Sequence, residues 1–430
     1  MFDVRPVAFV VGAFICTLAP LLLICAVVDL AADNPDWHVF VGSALVTFAF
    51  GSLMALATRA ERLEFDIRQG FLLTVAVWVA MGLVGAVPLY FASSKIGVAD
   101  AIFESISGIT TTGSTVLVDL DHMPPGILMW RALLQWIGGL GIVATALLIF
   151  PFLQVSGMQL FKLESSDVGD KFSARIADTT RQIMLLYVLL TVLTAVGLIA
   201  VGLKPFDAVC HAMTALSTGG YGTRDSSVGY FANLPAEAIL VVAMIAGSLT
   251  LTLVLRAIAG HPRPLLRDPQ TQLFFVVIGI ATIVLTIWRV ATSDTLPGPA
   301  LWASVFSVVS IITTTGFITE DYSTWGALPV AAFQLPFVII VPKFYAETVG
   351  LGLFATGFIL FAVRLIDAIL DPLIGYGADH AKTRWGRRRT WFGIAALPTT
   401  IGALLVFNPF PNVDVSQTWF WALWLFVFSA

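Results

Sequence analysis

Apolar residues along this chain come in runs of two lengths, separated by short polar loops. Runs near 6–30, 38–57, 71–92, 127–152, 182–203, 234–256 and 271–291 are long enough to carry a helix across ~30 Å of hydrocarbon. Shorter runs near 100–112, 206–218 and 301–315 are not. Each short run leads into a stretch of small hydroxylated residues and glycine: SGITTTGSTVL (Ser107–Leu117), TALSTGGYGT (Thr214–Thr223) and SIITTTGFIT (Ser310–Thr319). The pattern predicts seven spanning helices and three re-entrant half-helices, each continuing as non-helical backbone. Such backbone is tolerated at membrane depth only where protein buries it or where it lines an aqueous path.

The loops give an orientation that can be checked against this pattern. Arg59, Arg62 and Arg68 share one connection, Lys162, Lys171, Arg175 and Arg181 a second, and Arg256, Arg263 and Arg267 a third. The alternate loops carry Asp33 and Asp36, Asp119 and Asp121, then Glu320 and Asp321. Basic loops stay in the cytoplasm, so all three Thr/Gly stretches enter from the outer face. Composition agrees: 58% of the 430 residues are hydrophobic and 12% are charged, which describes a polytopic all-α membrane protein in the cytoplasmic membrane. A net charge of −4 argues against a nucleic-acid partner, leaving membrane lipid as the expected surroundings. Cys16, Cys25 and Cys210 suggest neither a disulfide framework nor a transition-metal site. Arg5 precedes a long apolar run with no small-residue cleavage site after it, and the run is read as a first spanning helix. No GxxxxGK loop, HExxH pair or nucleophile elbow occurs, so no enzyme is expected.

Gly113, Gly219 and Gly316 are separated by 106 and 97 residues, and the sequence around them repeats. Two leading helices (1–70) precede a first pore repeat (71–152), a second (153–256) and an incomplete third (257–325). Repeats of this grammar imply pseudosymmetry about an axis normal to the membrane. Glycine lets the chain turn its carbonyls toward that axis, and those oxygens can replace an ion's hydration shell. A half-helix ending there presents its negative dipole end, which favours a cation. The bland alternative is a helix-ending turn of no special function. Three copies at matching positions on one side favour the filter. GGLG (Gly138–Gly141) reads as small residues for close helix packing, and His211 as a packed side chain.

With QWIGGLGIV (Gln135–Val143), RPLLRD (Arg263–Asp268) and SIITTTGFITEDYSTW, residues 1–325 resemble the Trk/Ktr/HKT potassium-uptake superfamily. The resemblance implies a channel-like pore of helix–pore loop–helix repeats behind two extra helices, carrying K+. It implies filter residues Thr110, Thr111, Thr112 and Gly113, then Ser217, Thr218 and Gly219, then Thr313, Thr314, Thr315 and Gly316. It also implies a homodimer and a cytosolic nucleotide-binding regulatory ring. The family has four repeats. Here the third loses its returning helix, and no fourth segment of this kind is read between Trp325 and Ala430. Conduction is therefore expected to be degenerate.

From Gly326 the grammar changes. Arg364, Asp367 and Asp371 fall on one face of a helix, and ionisable residues inside an apolar span default to a functional cavity. RLIDAILDPLIGYGAD and RWGRRR resemble the glycoside–pentoside–hexuronide cation symporters, the melibiose-permease-like branch of the major facilitator superfamily. That resemblance implies Asp367 and Asp371 as sodium- or proton-coupling carboxylates, with Arg364 as their charge partner. Gly375, Asp379 and Arg387–Arg389 match the loop after the second helix of that family. The family has twelve helices, and the reading places Ala430 inside the fourth. Three descriptions compete: a degenerate potassium channel-like transporter, a cation-coupled sugar symporter fragment, and a chimera without transport of its own. The first is preferred. Counting spans from the outer Trp325 would put RWGRRR outside, against its charge; the segment 327–342, broken by Pro329, Pro336 and Pro342, is expected not to span.

Overall fold

The computed structural model describes residues 4–59, 67–93, 95–153, 166–292, 295–321 and 325. It divides the chain into two compact units, Met1–Asp321 and Tyr322–Ala430. Arg364, Asp367, Asp371, the RWGRRR loop and the segment 327–342 lie outside the described residues. Everything regular among the described residues is helical.

Helices α1 (Arg5–Ala31) and α2 (Trp37–Ala57) form an antiparallel pair. Small residues let their backbones approach: a Cβ on Gly12 would lie 2.8 Å from the Gly51 carbonyl oxygen. Two repeats of helix, half-helix and returning helix follow. The first is α3 (Ile67–Phe91), the half-helix α4 (Val98–Ile109) and the returning α5 (Pro125–Leu153). The second is α6 (Ser166–Ala200), the half-helix α7 (Pro205–Leu216), then α8 (Leu234–Ser248) and α9 (Leu251–Ile258). After the short α10 (Arg263–Arg267), a third unit begins with α11 (Pro269–Thr292) and the half-helix α12 (Pro297–Ile312). By length and composition α1, α2, α3, α6 and α11 can each cross a bilayer. α4 and α7, at 12 residues each, and α12, at 16, cannot.

One expected span is corrected. Residues 234–256 are uniformly apolar, but α8 and α9 meet at a 112° bend. The break follows the Gly247–Ser248 pair, a common site of helix kinking. Ser248 Oγ donates back to the Met244 carbonyl at 2.8 Å, and Leu249 is extended with ψ at 153°. Hydropathy records how apolar a run is and not whether it stays straight.

Carboxylates tie helix ends and loops of Met1–Asp321 to one another. Asp36 Oδ2 accepts hydrogen bonds from the Ser93 backbone N–H (3.0 Å) and hydroxyl (2.6 Å). Asp29 Oδ1 accepts from the Gly126 N–H at 2.6 Å, satisfying one of the orphan donors at the start of α5. Asp225 Oδ1 accepts from the Leu120 N–H at 3.0 Å. α11 exposes Val276, Ile280, Ile283 and Ile287 along one face, as a lipid-facing helix does.

Candidate cation filter

Each half-helix ends in the same turn. The N–H of Thr112, Gly219 and Thr315 reaches back five residues to the carbonyls of Ser107, Thr214 and Ser310, at 2.9, 3.0 and 2.9 Å. The N–H of Thr111, Thr218 and Thr314 reaches Gly108, Ala215 and Ile311 at 3.0, 3.1 and 2.9 Å. This pair of bonds is the Schellman termination, which needs one residue in the left-handed region and normally recruits glycine there. Here that residue is threonine each time: Thr111 at φ 55°, Thr218 at 52° and Thr314 at 60°. A β-branched residue in that region is strained by about 1–3 kcal/mol. The bland alternative was half right, since these are helix-ending turns. Choosing the disfavoured residue three times is what a turn alone does not explain.

The left-handed threonines also set the register between repeats. Thr110, Ser217 and Thr313 are the helix caps. Two residues beyond each left-handed threonine comes a positive-φ glycine: Gly113 (80°), Gly220 (73°) and Gly316 (84°). Gly219, paired with Gly113 and Gly316 by sequence spacing, is thus corrected by one residue; it matches Thr112 and Thr315, and Gly220 is the counterpart. These glycines do more than turn the chain. A Cβ on Gly113 would sit 2.1 Å from the Gly219 carbonyl oxygen, and one on Gly220 would sit 1.7 Å from that of Thr315. Each glycine makes room for a carbonyl of the next segment, linking the first segment to the second and the second to the third. Gly316 has no described atom within 4 Å of that position.

Around the turns, hydroxyls hold the backbone. Ser107 Oγ donates to the Ser114 carbonyl (2.6 Å) and Ser310 Oγ to that of Phe317 (2.7 Å). The hydroxyls of Thr110 and Thr112 pair at 2.8 Å, as do those of Thr313 and Thr315. The first pair is exposed and the second buried. The GGLG glycines supply close packing as expected. A Cβ on Gly138 would meet the Ile109 carbonyl oxygen at 2.0 Å, and one on Gly247 would meet that of Leu216 at 2.4 Å. α5 and α8 therefore press against the ends of their own half-helices in the same way.

Behind the first two segments lies a buried polar cluster that the sequence reading missed. Arg131 Nε donates to Glu104 Oε1 at 2.7 Å, both side chains 1% exposed or less. Glu104 also accepts from the Thr115 hydroxyl and the Val116 N–H. Arg131 donates on to the Gly222 carbonyl (3.1 Å) and stacks over the Tyr221 ring, 4.1 Å from its centroid. Four residues along α5, Gln135 donates through Nε2 to the Gly219 carbonyl (2.7 Å) and accepts at Oε1 from the Tyr221 N–H (3.0 Å). An Arg and a Gln four residues apart in an otherwise apolar span were the available signal. His211 is buried as expected, between the Phe231 and Phe317 rings, with Nδ1 against the Asp207 carbonyl at 2.8 Å.

In the loops beside the turns, Arg224 lies 3.6 Å from both Asp121 and Asp207. His122, fully exposed there, pairs with Asp119 at 2.6 Å, and that hydrogen bond raises its pKa above the usual imidazole value. The site is therefore a set of strained backbone turns at negative helix ends, beside loops rich in carboxylates. Such a site can attract and ligand a cation.

A family model described as TrkH, cation transport protein, matches residues 37–331. The chain belongs to the TrkH family of cation transport proteins. It is a multi-pass protein of the inner membrane. Among its relatives is the Trk system potassium uptake protein TrkI of Halomonas elongata, 36% identical over 335 residues, which are 77% of this chain and 68% of the relative. Another is the Trk system potassium uptake protein TrkH of Escherichia coli K12, 33% identical over 370 residues, 84% and 74% of the two chains. The crystal structure of the potassium transporter TrkH from Vibrio parahaemolyticus superposes with a TM-score of 0.70 at 25% identity, over 99% of this chain and 96% of that one. A second family model, described as MFS/sugar transport protein, matches residues 322–430.

Proposed function

We propose that the chain takes up potassium through a TrkH-type pore, with Thr110–Gly113, Ser217–Gly220 and Thr313–Gly316 as filter segments. The observation that carries this is the left-handed threonine repeated at φ 55°, 52° and 60°. Strain stored at one matching position in three half-helices is retained where backbone carbonyls have a task. The negative half-helix ends and the carboxylate-bearing loops favour a cation, and the potassium uptake relatives support K+ as that cation. In the same proposal the chain works as a homodimer, with a cytosolic nucleotide-binding ring at its basic face. Growth of a potassium-uptake-deficient strain at low K+ tests it. Expression of the chain is expected to improve growth, and Gly113→Ser or Gly220→Ser to abolish the gain. Growth unchanged by both substitutions would overturn the filter assignment.

A second reading draws on the match of residues 322–430 to MFS/sugar transport proteins. Under it, Asp367 and Asp371 would couple Na+ or H+ in a melibiose-permease-like site, with Arg364 as their partner. Cation-dependent sugar uptake by the parent chain, lost in Asp367→Asn or Asp371→Asn, would promote this reading over the first. The preferred expectation is that neither substitution changes sugar uptake.

A further inference from the structure

The two interfaces between neighbouring filter segments are built from corresponding residues of opposite character. Gly138 and Gly247 occupy the same place in α5 and α8, each against the end of its own half-helix. Gln135 therefore corresponds to Met244, and Arg131 to Leu240, all four buried. Aligning the half-helix ends at Ile109 and Leu216 makes Glu104 correspond to His211. Aligning Gly220 with Gly316 makes Tyr221 correspond to Phe317. Between the first and second segments the cluster is Glu104, Arg131, Gln135 and Tyr221, joined by hydrogen bonds and an ion pair. Between the second and third it is His211, Leu240, Met244 and Phe317, with His211 Nε2 buried and unpartnered. The second segment is thus pinned by a side-chain amide from the returning helix; the third has the apolar Met244 at that position and is held instead by the Ser310 hydroxyl on the Phe317 carbonyl and the Gly229 N–H on the Ile318 carbonyl.

We infer that Gln135 is a positioning residue for ion discrimination, fixing the Gly219 carbonyl and the Tyr221 N–H so that the second segment cannot relax around a smaller ion. Gln135 is fully buried and makes both of these bonds within the filter, at 2.7 and 3.0 Å. A carbonyl whose oxygen already accepts from a fixed donor resists the rotation that would be needed to shorten its contact with Na+. Removing the donor leaves Gly219 free to turn.

This rests on the filter reading above, and the test separates the two. The full chain, purified in detergent, is melted in KCl and in NaCl series at constant ionic strength, giving an apparent affinity for each ion from the stabilisation. Gln135→Met installs the residue of the corresponding position. Gln135→Glu, when ionised, keeps an acceptor for the Tyr221 N–H, loses the donor to Gly219 and adds a buried negative charge, so Gln135→Met is the neutral comparison. Both are expected to lower the K+/Na+ affinity ratio by roughly two- to tenfold, the factor to which the net contribution of one hydrogen bond converts. A merely structural role would lower melting in both salts and leave the ratio unchanged; that result in Gln135→Met overturns the inference, provided Gly113→Ser abolishes the K+-specific shift. If Gly113→Ser leaves the shift intact, or the parent chain shows none, the filter reading itself falls and this inference with it.

Discussion

Thr314 shows most plainly what the residue scale adds. It is exposed, its φ is 60°, and among the described residues its hydroxyl bonds to the neighbouring Thr313 carbonyl, at 2.6 Å. Thr314→Gly therefore removes strain without removing packing, and is expected to stabilise the protein by about 1 kcal/mol. Thermal unfolding in detergent checks this, and a lower melting temperature would contradict the strain assignment. The glycines should rank as well. Serine at Gly113 or Gly220 meets a backbone carbonyl, whereas serine at Gly316 meets no described atom and bears only the φ penalty. Gly316→Ser is thus expected to lower the melting temperature least. Thr/Gly triplets were plain in the sequence, but spacing could not choose between the adjacent Gly219 and Gly220; only the backbone angle does. Gln135 adjoins Gly138–Gly141, whose small size accounts for close packing in the sequence but carries no sign of the amide's bonds to Gly219 and Tyr221.

At the scale of elements, hydropathy located the described long helices and half-helices to within a few residues, except that α6 begins at Ser166, well before the apolar run read at 182–203. It failed between α8 and α9, where apolarity is unbroken and the axis turns by 112°. The cue was Gly247–Ser248, weak because Gly247 is needed anyway for contact with the Leu216 carbonyl. That contact and its twin give an element-level prediction. Gly138→Ala would drive a methyl against the Ile109 carbonyl and is expected to cost about 1–3 kcal/mol, displacing α4 from α5. Gly279→Ala, in the middle of the lipid-facing α11 with nothing within 4 Å, is expected to cost nothing and to gain up to about 1 kcal/mol of helix propensity. Equal losses in the two variants, measured by thermal unfolding, would mean that α5 does not press on the half-helix as described.

For the whole molecule, charge placement was the most legible feature. Of the carboxylates read as outer-loop residues, Asp36 ties the start of α2 to Ser93 after α3, while Asp29 and Asp225, which that reading did not include, make the corresponding bonds to Gly126 and Leu120. The second family signature was legible too, as a match over residues 322–430, while its site residues lie outside the described part. By the same charge rule Lys382, Arg384 and Arg387–Arg389 belong in the cytoplasm. A cysteine at Gly386, in a background lacking Cys16, Cys25 and Cys210, is expected to resist an impermeant thiol reagent applied to intact cells. Labelling from outside would show that the preceding helices override the basic loop. The central claim is that three strained turns together ligand a potassium-like cation, and anomalous scattering from crystals of the full chain grown in RbCl tests it most directly. The expected result is an anomalous peak among the carbonyls of Thr110–Gly113, Ser217–Gly220 and Thr313–Gly316 that disappears in Gly113→Ser. Well-diffracting crystals with no Rb+ peak there, or with an equal peak in that variant, would contradict it.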